Sequence, residues 1–182
     1  KQNYNDFLEG IVGMLVPSLI GSVARGTDPY ERRIDTPVDA VMARIPGLRQ
    51  KLQPQIDAEG NERPQQAGLA AQILSPVRSQ QIPTDRLRRT YAALKWAPTV
   101  PRGKKIGDYD VTPAEMTQFA REVGKLRAQY MNDELGTTDP DAPMNDEQRS
   151  ELRDRLESAS RRAVTETKRQ WVERLAKRNQ EE

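Results

Sequence analysis

TPAEMTQFAREVGKLRAQYMNDELG, residues 112–136, is the stretch on which the fold turns. Thr112 can accept from an early helix amide while the Glu115 side chain reaches back, which is a capping box. Pro113 fits the first helical position, where a missing N–H costs nothing. Met116, Phe119, Ala120, Val123 and Leu126 then recur at helical spacing. The helix is expected to run to about Leu135 and to end at Gly136. The polar, acidic loop GTTDPDAPM follows, and Asn145 with Gln148 three residues on repeats the capping signal. From there to about residue 179 the pattern predicts one long helix. Its apolar positions are Leu152, Leu156, Ala159, Ala163, Val164, Trp171, Val172 and Leu175, a narrow stripe among alternating charges. Such a helix is marginal alone and needs a partner helix.

Working backwards, Lys104 to Val111 (KKIGDYDV) reads as a small hairpin turning at Gly107-Asp108. Before it, Thr84 or Asp85 can cap a helix with Leu87, Tyr91 and Leu94 on one face, stopped by Trp96-Ala97-Pro98. Residues 65–83 hold an apolar cluster broken by Pro76. Residues 46–64 show neither a helical nor a strand period. There Leu48, Leu52 and Ile56 stand as apolar anchors on an extended path, and DAEGN, 57–61, is a turn with Gly60 in the unusual conformation. Thr36 and Pro37 start a short helix with Val38, Val41, Met42 and Ile45 as its stripe, ended by Pro46-Gly47. Residues 10–24, GIVGMLVPSLIGSVA, are uncharged but shorter than the ~20 residues a spanning helix needs. They read either as a buried helix kinked at Pro17 or as a segment that enters or lies on a membrane. The expected fold is mainly α: an extended arrangement of helices with irregular proline-rich joints and one small hairpin. Three segments are expected, 1–64, 65–111 and 112–182.

Composition narrows the chemistry. The 182 residues include no Cys and no His. That excludes disulfides, thiol nucleophiles, thiolate zinc, His-based triads and His-ligated metals. Leu, Ile, Val and Phe together make 35 residues, few for a chain this long. Cations and anions nearly cancel, at 29 against 27, so the thin core points to packing completed at another surface more than to disorder. Leu48, Leu52, Ile56 and Trp96, large apolar groups on stretches too irregular to bury them, are expected interface residues, as is Trp171 on the stripe of the long helix. The chain opens on Lys1 rather than Met, so a processed product or a part of something longer is expected.

Between Arg86 and Gly107 stand seven cations and no acid: Arg86, Arg88, Arg89, Lys95, Arg102, Lys104 and Lys105. Tyr91 and Trp96 are interleaved. Cations for phosphates and rings for stacking are what a nucleic-acid surface uses, although Tyr91 shares its face with Leu87 and Leu94. The pairs Asp108/Asp110 and Asp139/Asp141 fall in turn-like sequence and lack the spacing of a calcium loop. No catalytic, cofactor or metal residues are expected, and no enzyme.

The order of these features is similar to a known arrangement. An apolar Pro-containing segment is followed by VARGTDPYERR, then ARIPGLRQKLQPQIDAEGNERP, then ILSPVR, then GKKIGDYDVTPAEM and two closing helices. This resembles the C-terminal region of large phage internal virion (ejection) proteins, also called large polyvalent phage proteins, over roughly residues 7–175. Gln53, between Leu52 and Pro54, departs from that pattern. The resemblance implies a structural protein packaged in the virion interior near the portal, which leaves for the host envelope with the DNA. Its implied partners are sister subunits in a ring, other virion proteins, phage DNA and the host membrane.

Overall fold

The computed structural model describes residues 28–64 and 85–181, and these are mainly helical. They divide into two compact units. The described part of the first comprises residues 28–55 and 62–64. That of the second comprises 56–61 and 85–181. Residues 85–111 and 112–181 thus form one body instead of the two segments expected, and the turn at 56–61 joins it. The apolar segment 10–24 and the cluster at 65–83 lie outside the described residues.

In the first unit, helix α1 (Pro37–Met42) starts as expected. Thr36 Oγ1 accepts from Asp39 N at 3.2 Å, and the Asp39 carboxylate accepts from Thr36 N at 2.9 Å. The expected apolar stripe is not buried, since Val38 is 51% exposed. A single 3-10 turn, Arg49–Lys51, follows. Around these, three extended strips bond in a closed triangle. Glu31 N donates to Arg63 O (2.9 Å), Gln55 N to Glu31 O (2.8 Å) and Arg63 N to Gln55 O (2.8 Å).

Among the described residues of this unit an ionic cluster is buried. Asp28 is buried and accepts from Arg32 Nε at 2.7 Å and from Arg49 Nε at 3.0 Å. Arg32 also reaches Leu52 O, and Arg49 reaches Ala43 O. A buried carboxylate held by two guanidiniums stays ionised. The Arg32 hydrogen bond outweighs burial and keeps the Asp28 acid below its usual range. A depressed folded value means stability that is present above the ordinary carboxylate value (~3.9) and lost as pH falls through the folded one. We therefore expect the amide resonances of residues 28–33 to lose dispersion on acidification below about pH 4, the ordinary value. Asp28→Asn should have lost that dispersion already at neutral pH. Unchanged resonances in the variant at pH 7 would show that Asp28 does not hold the unit together.

The second unit is built on a helical hairpin. Helix α2 (Arg86–Leu94) is capped by Asp85, whose Oδ1 accepts from Leu87 N at 2.9 Å. Strands β1 (Lys105–Ile106) and β2 (Tyr109–Asp110) pair antiparallel around Gly107-Asp108. Helix α3 (Pro113–Leu135) carries the Thr112–Glu115 capping box and ends at Gly136. Helix α4 (Asp146–Glu181) begins with Asn145 and Gln148 exchanging backbone-to-side-chain bonds of 3.0 and 2.8 Å. At 1.5 Å per residue, α4 is about 54 Å long.

Helix α4 runs back along α3. Its first half packs Leu152, Leu156 and Ala159 against Leu87, Tyr91 and Leu94 of α2 and Met131 and Leu135 of α3. Its second half packs Trp171 and Leu175 against Met116, Phe119 and Val123 of α3 and Ile106 of the hairpin. A ladder of charge pairs flanks the apolar seam. Arg178 meets Glu115 (2.6 Å), Arg174 meets Glu122 (2.7 Å), and Arg162 meets Glu134 (2.7 Å).

Candidate functional site

Two features of the second unit bear on function: the basic stretch 86–105 and a buried polar seam beneath the turn 56–61. They share helix α2. Its apolar positions face the core, so its arginines fan out to other elements.

Arg86 donates to Gly136 O (2.8 Å) and Thr138 O (2.6 Å). These carbonyls lie at and just beyond the C-terminal end of α3, where the partial charge is negative and helical partners are missing. Arg89 pairs with Asp141 in the loop before α4. Arg88 pairs with Asp57 (2.5 Å) and Glu59 (3.3 Å) of the turn. Three of the seven cations expected at a nucleic-acid surface are therefore engaged by the fold. The acids that hold Arg88 and Arg89 lie 29 to 52 residues away in sequence, which is why the run reads as uncompensated locally.

The remaining four face solvent. Lys95 ends α2 in the left-handed conformation (φ 50°) and is exposed. Arg102 and Lys104 are exposed and make no ion pair among the described residues. Lys105 lies 4.0 Å from Asp110 across the hairpin, with both side chains largely in water.

The turn itself is closed by Asp57. Its Oδ1 accepts from Glu59 N (3.0 Å) and Asn61 N (2.8 Å), and Gly60 takes φ +83°. It is seated on α3 backbone to backbone. A Cβ built on Gly124 would lie 2.1 Å from Gly60 N and 2.4 Å from Gly60 Cα. One built on Gly60 would lie 2.4 Å from Arg121 O. Next to this contact Arg127 is buried, and it donates to Ala58 O (3.3 Å) and Thr99 O (3.0 Å).

The seam holds more polar groups than partners. Glu59 Oε1 and Arg127 Nε are buried without a hydrogen-bond partner among the described residues. Burial, reinforced by the nearby Asp57 charge, pushes the Glu59 acid up despite the attraction of Arg88. Burial pushes Arg127 down. Burial and the neighbouring Glu59 push the Tyr91 phenol up, and its hydroxyl lies 3.2 Å from Met131 Sδ.

The interface residues expected from sequence need correction where the structure buries them. Leu52 is 8% exposed among the extended strips, Ile56 6% at the root of the turn, and Trp171 5% between α3 and α4. Trp171 packs edge-on to Phe119 and donates its indole N–H to Glu122 at 2.8 Å. Leu48 and Trp96 are half-buried, Trp96 standing edge-on to Tyr91. At Leu52 and Ile56 extended backbone with its own hydrogen bonds covers the side chain as a helix would, and Trp171 is covered by α3.

Sequence reasoning missed Gly124 and Arg127, although a signal was there. A glycine interrupts a good helix at 124, and Arg127 falls on the stripe of Met116, Ala120 and Val123 at the next helical repeat. Among the described residues no cluster of three or more Asp or Glu could hold a metal ion, and no helix is long and apolar enough to cross a membrane. No family model matches the chain, and no curated protein or solved structure matches it.

Proposed function

We propose that this chain is a structural, non-catalytic assembly module: the C-terminal region of a phage internal virion protein that helps form the genome-ejection conduit. In this reading it sits in the virion interior near the portal, then in the host envelope after ejection. It packs against sister subunits in a ring and against neighbouring virion proteins, which complete the packing of its helices and joints. The order of sequence features supplies the virion context. The observation that carries the assembly reading is the make-up of the first unit. Its buried apolar side chains among the described residues are Ala43 and Leu52, beside an ionic cluster. Tyr30, Ile34 and Val38, the exposed large apolar side chains of the described residues, all lie within nine residues of that same unit. Apolar groups exposed so close in sequence, on described residues with few buried apolar side chains, are suited to covering by a partner.

The test uses the whole chain. Sedimentation and native mass spectrometry at micromolar concentration should show a concentration-dependent closed oligomer. Ile34→Asp with Val38→Asp should return it to a monomer with unchanged far-ultraviolet circular dichroism. A wild-type chain that stays monomeric at every concentration, with no mixed species when virion proteins are added, ends the reading. A second reading, contact with phage DNA, is favoured by the four cations that the fold leaves in solvent, Lys95, Arg102, Lys104 and Lys105. It requires binding to random duplex that weakens steeply with salt.

A further inference from the structure

The buried seam under the turn contains a titratable group that assembly does not use. We propose that the turn Ile56–Asn61 is a proton-controlled latch, seated on α2 and α3 while Glu59 is neutral and favoured to lift when Glu59 is charged.

The geometry makes the seat unforgiving. Gly60 and Gly124 touch through backbone atoms, so the turn cannot settle deeper or shift sideways to improve its polar contacts. The Glu59 side chain is 5% exposed, and among the described residues Oε1 finds no hydrogen-bond donor, the hydroxyl of the neighbouring Tyr91 bonding Met131 Sδ. Its other oxygen meets Arg88 Nε at 3.3 Å, a long contact from a side chain 43% exposed and shared with Asp57. The charged groups that face Glu59 are Asp57 from the turn, Asp85 and Arg88 from α2, and Arg127 from α3, with the Tyr91 phenol alongside. Arg127 spends its bonds on two carbonyls and leaves Nε unpaired among the described residues. An ionised carboxylate in this setting has Arg88 at a long 3.3 Å, an Arg127 guanidinium whose bonds go to carbonyls, two like charges and a bare oxygen, and removing it from water costs more than the two cations return.

The direction of control follows. Neutral Glu59 is the form the seat prefers, so the acid releases its proton at a higher pH in the seated turn than in the free chain. The seat is firmest below the ordinary glutamate value (~4.3) and weakens as pH rises through the raised one. When the turn lifts, Ile56 and Ala58 are uncovered and Arg127 loses one of its two carbonyl acceptors.

Hydrogen exchange read by mass spectrometry on the whole chain tests this, with rates corrected for the intrinsic effect of pH and a peptide from the middle of α4 as internal reference. Protection of 56–61, relative to that reference, should fall several-fold between about pH 4 and pH 8, beginning as pH passes the ordinary glutamate value (~4.3). Glu59→Gln, which cannot ionise, should hold its protection constant across that range. Glu59→Met, apolar and similar in length, should do the same and serves if the amide variant folds poorly. Wild-type protection independent of pH, or a fall of the same size in both variants, overturns the latch.

Discussion

Replacing Gly124 by alanine is expected to destabilise the second unit by about 2–4 kcal/mol, combining overpacking with the loss of partners for a buried guanidinium. Helix propensity alone points the other way, because alanine in a helix interior is favoured over glycine by about 1 kcal/mol. The contact decides the sign. The new Cβ would sit 2.1 Å from Gly60 N and 2.7 Å from Glu59 C, and all of these are backbone atoms that cannot rotate away. The turn must rise, and Arg127 then loses Ala58 O while remaining largely buried. Urea unfolding of the whole chain gives the answer. A Gly124→Ala chain as stable as wild type, or more stable, would mean that the turn is not held against α3 in solution.

The second large effect belongs to Trp171→Ala, expected to cost about 3–5 kcal/mol, as truncations of large buried aromatics do. The indole fills the space between α3 and α4 with Phe119 at 6.0 Å, lies under the Arg174 guanidinium at 4.6 Å, and bonds Glu122. Removing it leaves a void in the cluster of Ile106, Met116, Phe119, Val123 and Leu175. This experiment also separates a core from an interface. A core role lowers the unfolding midpoint of the protomer and leaves the dependence of oligomer size on concentration unchanged. If stability holds and association is lost, Trp171 is an interface residue after all.

Much of the second unit was legible locally. Both capping boxes, the Asp85 cap, the glycine stop at 136, the turn at Gly107 and the stripe on α4 are signals carried within a few residues, and each element formed where its signals stood. What was not legible is set by distant partners. The run from Arg86 to Lys105 looks like a free basic patch until Asp57, Glu59 and Asp141 arrive from other parts of the chain. Val38 reads as the start of a buried stripe, yet α1 is a six-residue helix beside an ionic cluster and finds no apolar floor among the described residues. The seating of the turn depends on two glycines 64 positions apart, a pairing that no local period can reveal.

The ladder between α3 and α4 carries a mechanical consequence. Each rung is half in water and contributes only about 0.2–1 kcal/mol on its own. The rungs lie in sequence along two antiparallel rods, so their strength depends on how load is applied. Tension between the start of α3 and the end of α4, which lie at the same end of the hairpin, meets the Glu115–Arg178 rung first and opens the pairs one after another. Tension between the start of α3 and the start of α4 loads all of them together with the apolar seam. The hairpin is therefore soft to peeling and stiff to sliding.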